Sequence, residues 1–129
     1  MTRVLIGAIA IGFTLPISAF DPERALENLA NELAACAGYY SLIINLPDVP
    51  AGAQKHTNDA GTKALSLAIE LADEKRAMAT MAIKAQEMAQ DMGRDWGNVD
   101  IVMNEWDDLC KDLLRDPDAR LEHWLKMED

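Results

Sequence analysis

The apolar positions of the first helical segment recur at alternating steps of three and four residues. Asp21 can cap this helix, and Pro22 suits its first position. The apolar stripe consists of Leu26, Leu29, Leu33, Cys36, Tyr40 and Ile43. Such spacing is typical of a helix that packs against a partner helix, and it predicts a long helix that Pro47 ends.

A second pattern of the same kind predicts one long helix that ends at Met92, with Gly93 as its C-terminal cap. Its stripe is Leu67, Leu71, Glu74, Met78, Met81, Ala85, Met88 and Met92. A second face is made of alanines, namely Ala64, Ala68, Ala72, Ala79, Ala82 and Ala89. Because small side chains let another helix approach closely, this helix is expected to be the central one. The proline- and glycine-containing stretch from Leu46 to Gly61 is predicted to be a loop, so the helix begins between Pro50 and Thr62.

Two further helices follow the turn GRDWGN. Asn98 is a candidate cap for the third helix, whose stripe is Met103, Trp106, Cys110 and Leu113. The pair Asp116-Pro117 ends it and begins a short last helix with Leu121, Trp124 and Leu125 on its apolar face. Since no sustained apolar–polar alternation predicts a strand, we expect an all-α bundle. It would have three longer helices and one short C-terminal helix, in a single domain over residues 20–129.

The first nineteen residues have the pattern of a cleaved secretory leader. Arg3 is followed by a run of apolar and small residues over 4–15, and after Pro16 the segment Ile17-Ser18-Ala19 offers a small residue at the cut and an aliphatic one at −3. A helix of that run extends about 18 Å, whereas the hydrocarbon core of a bilayer is about 30 Å thick. We therefore expect cleavage after Ala19 and a periplasmic or extracellular chain without membrane insertion. An uncleaved anchor is the alternative.

The two cysteines, Cys36 and Cys110, lie on the apolar stripes of the first and third predicted helices. An exported chain reaches a compartment in which disulfides persist, and a single pair allows one intramolecular connectivity. We therefore expect a disulfide between them that closes the bundle. Two free, buried thiols and a metal or redox role are the alternatives, although the chain has no Cys-x-x-Cys motif.

Acidic residues outnumber basic ones, with 22 Asp and Glu against 12 Lys and Arg, so the formal net charge is −10. Loss of Arg3 with the leader would make it −11. Nucleic acids and anionic membranes bind positive surfaces, so neither is expected as a partner. The charge permits a basic envelope protein as a partner, and it is equally consistent with a role in solubility alone.

Four methionines of the predicted second helix share one face: Met78, Met81, Met88 and Met92. Thioethers bind Cu(I), so this face is a candidate copper site. The same spacing is also what a core stripe requires, because methionine fills gaps between packed helices well. Both interpretations stay open from the pattern alone.

Few other residues could carry chemistry. Glu74 interrupts the methionine stripe, either as a buried carboxylate with a raised pKa or as an outward residue where the helix drifts from a seven-residue repeat. His56 and His123 lack further ligands at zinc spacing and are expected on the surface. The chain contains no phosphate-binding glycine loop, Gly-x-Ser-x-Gly or His-Glu-x-x-His motif.

Two segments, NELAACAGYYSL and DLCKDLLRDPDARLEHWLKMED, resemble small exported helical proteins of Gram-negative bacteria and their viruses. The most distinctive pieces are the cysteine–aromatic helix and the Asp-Pro-Asp-Ala-Arg turn that precedes a tryptophan. The resemblance implies an exported helical fold. It implies no activity and transfers no functional residue.

These observations favour an exported, non-enzymatic binding or structural protein of the cell envelope, such as an inhibitor or an immunity-type protein. Trp96 and Trp124 would be its contacts with a partner. The alternative is a carrier of a small ligand or of copper that uses the bundle interior near Met78, Met81, Glu74 and Tyr40. No cofactor is expected, and Glu74 is the one residue that an enzymatic role would offer. A helix with two apolar faces could equally form the core of a monomer or the interface of an oligomer.

Overall fold

The computed structural model describes residues 21–47 and 49–127, and the predicted leader lies outside these ranges. Within them the chain forms five α-helices, a short 3-10 turn at Trp96–Asn98 and no strand. The helices are α1 Pro22–Ile43, α2 Ala51–Leu71, α3 Glu74–Asp91, α4 Val99–Arg115 and α5 Pro117–Lys126. The all-α prediction is confirmed, and the bundle has one more long helix than the sequence pattern indicated. None of the described helices is both long and apolar enough to cross a bilayer.

The caps predicted for the first and last helices are confirmed. The backbone N–H of Arg24 donates to Asp21 Oδ1 at 3.0 Å, and that of Ala119 donates to Asp116 Oδ1 at 3.2 Å. A proline follows each aspartate at the start of the helix. Each cap satisfies an amide that has no partner within its helix and so fixes where the helix begins.

The predicted second helix is two helices, which is a correction. Ala72 has a non-helical backbone, and Asp73 caps α3 by accepting a hydrogen bond from the N–H of Arg76 at 2.8 Å. Glu74 therefore lies exposed in the first turn of α3, where the helix dipole favours a carboxylate, and is not in a buried stripe. The spacing of the stripe runs through the break in register, so the sequence signals for it were the capping Asp73 and the polar Glu74 within the stripe.

The predicted loop from Leu46 to Gly61 is also corrected, because α2 begins at Ala51. The first six residues of α2 are exposed, and the helix packs against the core from Ala60 onward. A Cβ atom on Gly61 would lie 3.1 Å from the Cβ of Tyr40, so the two helices approach closely at this position. An ion pair between Lys55 and Asp59, one helical turn apart, adds local support.

The central helix is α1, and not the helix that follows it as the alanine face had suggested. It contacts each of the four other α-helices, and its eight consecutive residues from Leu33 to Tyr40 are all buried. The sequence of this segment, LAACAGYY, is rich in small residues. A Cβ atom on Gly38 would lie only 2.7 Å from the carbonyl oxygen of Met81, so glycine lets α3 cross α1 in backbone contact.

A disulfide joins Cys36 of α1 to Cys110 of α4, as predicted, with a Cα–Cα distance of 5.5 Å. Both cysteines are fully buried within the core. In the chain-entropy model, a crosslink that closes a loop of this length stabilises the fold by about 4.5 kcal/mol. The bond therefore holds α4 against the central helix with one face inward.

The close approach at Gly38 gives a direct test. Gly38→Ala should lower the free energy of unfolding by about 1–3 kcal/mol, because the added methyl group has no room beside the α3 backbone. Gly52→Ala is the matched control: nothing lies within 4 Å of a Cβ there, so helix propensity should leave stability unchanged or raise it by up to about 1 kcal/mol. Urea unfolding followed by circular dichroism measures both, and equal effects would contradict the packing described.

Candidate interaction surface

The fourth helix separates an apolar inner face from a charged outer face. Its inner face contributes Val102, Cys110, Leu113 and Leu114 to the core. Its exposed residues share the opposite side and are Asp100, Ile101, Asn104, Glu105, Asp108, Lys111, Asp112 and Arg115. Since the disulfide fixes the inner face, these side chains are held toward solvent.

The positive charges on this outer face are paired with acidic residues of the same helix. Lys111 Nζ lies 2.7 Å from Asp107 Oδ2, and Arg115 Nη2 lies 2.5 Å from Asp112 Oδ1. Three further carboxylates, those of Asp100, Glu105 and Asp108, form no ion pair with any described residue. The outer face of α4 therefore keeps a net negative charge.

A large apolar side chain lies among these carboxylates. Ile101 is 52% exposed, although it occupies the first turn of an ordered helix. Trp96, in the turn just before α4, is half-buried and packs against the core. We call Trp96, Asp100, Ile101, Glu105 and Asp108 the α4 surface. Trp96 was a predicted contact residue, whereas the exposure of Ile101 was not predicted. The sequence indicates that exposure, because Ile101 lies out of phase with the Met103–Trp106–Cys110 stripe.

Trp124, the other predicted contact residue, participates in a cluster that attaches α5 to α1. Its indole Nε1 donates to Glu32 Oε1 at 2.8 Å. Arg120 forms a bidentate pair with the same carboxylate, with Nε–Oε1 at 2.9 Å and Nη2–Oε2 at 2.5 Å. The guanidinium also lies 5.2 Å from the centre of the Trp124 ring, and the hydrogen bonds that it donates to Glu32 raise the pKa of Arg120. This indole therefore has an intramolecular role, while its contact with a partner stays a prediction.

A buried tyrosine connects α1 to the inner edge of the α4 surface. The hydroxyl of Tyr39 donates to Asp107 Oδ1 at 2.9 Å. Burial, together with the hydrogen bond to Asp107 and the negative charge of that carboxylate, raises the pKa of Tyr39 far above its ordinary value of 10.0. Partial burial alone would raise the pKa of Asp107, but hydrogen bonds from Lys111 and Tyr39 outweigh it and the pKa is lowered. Asp107 therefore stays ionised and orients α4 on α1.

The four candidate copper ligands lie in three different environments. Met88 and Met92 are buried in the core, Met81 is half-buried, and Met78 is exposed on the outer side of α3. All four methionines lie on α3 or at its C-terminal cap, so the break between α2 and α3 does not separate them. Their different burial shows that they do not share one inward face. Most of the stripe belongs to helix packing.

The two histidines are exposed, and His123 packs edge-to-face on Trp124 with ring centres 5.4 Å apart. In the part of the chain that the structure describes, no group of three His, Cys, Asp or Glu residues could hold a metal ion. Comparison of the chain with protein-family models, curated proteins and solved structures gave no match.

The tyrosine pKa values predict the alkaline behaviour. Both tyrosines of the chain, Tyr39 and Tyr40, have raised pKa values, chiefly through burial. Tyrosinate absorbance at 295 nm should therefore not increase around pH 10 while the protein is folded. Because the unfolded chain ionises at ordinary values, the stability from neutral Tyr39 is complete below about pH 10 and is lost as pH rises toward the native pKa.

Measurement of absorbance and circular dichroism on the same samples separates ionisation from unfolding. One tyrosine that titrates near pH 10 with the helical signal intact would contradict the burial of that side chain. Tyr39→Phe should reduce the loss of stability above pH 10, because the variant no longer has this ionisation.

The cluster around Glu32 predicts how firmly α5 is attached. Glu32→Gln should lower the free energy of unfolding by about 1–3 kcal/mol, since it removes the charge that Arg120 and Trp124 share in a partly buried site. Glu27→Gln is the control, because Glu27 pairs with Arg76 on the open surface and should change stability by less than about 1 kcal/mol. Urea unfolding compares the two, and an equal loss would show that the Glu32 cluster adds nothing beyond a surface ion pair.

Proposed function

We propose that this protein is an exported, non-enzymatic binding module whose α4 surface docks a basic protein of the cell envelope. Proteins of the inhibitor or immunity type are the class that fits best. The observation that carries the proposal is an ordered helix face on which unpaired carboxylates surround an exposed isoleucine.

Export is supported by the disulfide and by the N-terminal sequence pattern. A disulfide with both cysteines fully buried is a structural crosslink, and such crosslinks are typical of proteins in oxidising compartments. The leader pattern before Phe20 agrees with the same compartment. Periplasmic or extracellular location is therefore part of the proposal.

The α4 surface combines two contributions that a protein interface needs. The carboxylates of Asp100, Glu105 and Asp108 would accelerate encounter with a positive partner, because complementary charge mainly increases the association rate. Ile101 supplies apolar area that a partner would remove from water, and the bound state depends most on such anchors. A second copy of this acidic chain would be repelled at the same surface.

The rigidity of α4 favours binding without rearrangement. The helix is held by the disulfide, by the hydrogen bond from Tyr39 to Asp107 and by a bond from Lys63 Nζ to the carbonyl oxygen of Leu114 at 3.0 Å. A surface that is already ordered loses little conformational entropy on association. These constraints support a docking role better than they support an enzyme, which needs groups that converge on a substrate.

The alternative of a copper carrier has less support. Its four candidate thioethers differ in exposure from buried Met88 to exposed Met78, so they offer no single inward-facing set of ligands. The small-molecule form of the carrier hypothesis has a distinct site, the pocket lined by Tyr40 and Met81.

Site-specific photo-crosslinking tests the docking proposal. A photoreactive phenylalanine derivative replaces Ile101 in one variant and Ile83 in the control, which lies on α3 and is 54% exposed against 52% for Ile101. After irradiation in an envelope extract, we expect a crosslink to a basic protein from position 101 and not from position 83. Salt at about 0.5 M should reduce its yield, because it screens exposed charges.

A charge-removal pair makes the test specific to the carboxylates. Asp100→Asn, Glu105→Gln and Asp108→Asn, combined in the position-101 variant, should reduce the crosslink at least about tenfold. Glu70→Gln, Asp91→Asn and Asp118→Asn remove the same charge from exposed positions outside the α4 surface and should leave it unchanged. Equal yields from positions 101 and 83, or equal loss in the two triple variants, would overturn the proposal.

A further inference from the structure

An open pocket lies where α1, α2 and α3 meet, away from the α4 surface. Its volume is about 190 Å³. The apolar part of its lining is Ala37, Tyr40, Ile44, Leu65 and Met81, and the remaining lining residues are Ser41, Thr57, Asn58, Gly61 and Thr62. Two of the four residues that were predicted to lie near a ligand, Tyr40 and Met81, line this pocket. The other two, Glu74 and Met78, do not.

No residue that lines this pocket carries a charge. That is unusual for a chain in which 26% of the residues are charged and the net charge is −10. An anionic ligand would find no cation in the pocket and would be repelled by the surrounding protein. A cationic ligand would lose its hydration without gaining a carboxylate. The lining therefore selects for a neutral molecule.

The volume sets the size of that molecule. An apolar cavity of about 150 Å³ is sufficient to bind benzene. The pocket is somewhat larger, so it fits one ring with a short substituent, or a short branched chain. Its walls include an aromatic side chain and a thioether, and both pack favourably against a ring.

The rim supplies hydrogen-bonding groups for one polar substituent. The side chains of Thr57, Asn58 and Thr62 form no hydrogen bond with the described residues, so they can bond to a ligand. The hydroxyl of Ser41 donates to the carbonyl oxygen of Gly38 at 2.8 Å and keeps its capacity to accept. Donors and acceptors at the mouth of an apolar pocket are the usual arrangement for binding a small amphiphile.

We infer that the pocket between α1, α2 and α3 binds a small neutral amphiphile, a single ring that carries one hydroxyl or amide group. The ring lies against Tyr40, Leu65 and Met81, and the polar group bonds at the rim. This binding is independent of the α4 surface, so either proposal can fail without the other.

Methyl NMR of the full chain labelled at its methionines tests the inference, with benzyl alcohol as the probe. The Met81 methyl resonance should shift in a saturable manner, while that of Met78, exposed on the same helix, should not. A ligand with about eight non-hydrogen atoms should bind with a Kd on the order of 1 mM. Benzoate and benzylammonium, which have the same ring with a charge, should bind at least about tenfold more weakly because their charge would lose hydration.

A matched pair of variants locates the site. Ser41→Leu places a larger side chain at the rim and should weaken binding of benzyl alcohol at least about fivefold. Ser66→Leu makes the same change at an exposed position of α2 that does not line the pocket and should have no effect. The inference is overturned if the Met81 resonance shows no saturable shift, if the charged probes bind as well as benzyl alcohol, or if the two variants behave alike.

Discussion

The burial of one short helical segment on every side is the constraint on which the rest of this bundle depends. From Leu33 to Tyr40, α1 exposes almost no surface, so its neighbours must pack around it at once. Small residues make this possible: the backbone of α3 approaches at Gly38, and the disulfide from Cys36 reaches α4. A larger side chain at Gly38 would displace α3, whereas loss of the crosslink would weaken the attachment of α4, so the two positions act on different parts of the molecule.

The surfaces available for function follow from this packing. With its inner face fixed to α1, α4 must present its carboxylates and Ile101 to solvent, and α3 together with α2 leaves an uncharged pocket beside Tyr40. The two candidate sites therefore differ in charge: the α4 surface has carboxylates around an exposed isoleucine, whereas no residue that lines the pocket is charged. The Glu32–Arg120–Trp124 cluster has a third role, because it holds α5, which has no buried residue of its own, against the central helix.

Local chemistry predicted much of the fold, and tertiary contacts decided what it could not. The aspartate–proline starts at Asp21 and Asp116 and the pairing of Cys36 with Cys110 were readable because each depends on a few adjacent residues or on a unique partner. The interruption at Asp73 was missed because the spacing of the stripe continues across it, with only Glu74 as a polar member. The early start of α2 was missed because residues typical of loops, Gly52, Gly61 and the Asn58-Asp59 pair, lie within the helix. Trp96 stays a predicted contact residue. The exposure of Ile101 was missed because the prediction followed the Met103–Trp106–Cys110 stripe and not the aliphatic residue out of phase with it.

The buried crosslink between α1 and α4, and the export that it implies, are both tested by the intact mass of the protein from the periplasmic or extracellular fraction. The sample is denatured and treated with a thiol alkylating agent, without reductant. We expect the mass of Phe20–Asp129 less two hydrogens, with no alkyl group added. A mass that carries two alkyl groups would show that Cys36 and Cys110 are not bonded and would contradict the crosslink. A chain that retains its first residues would contradict leader cleavage.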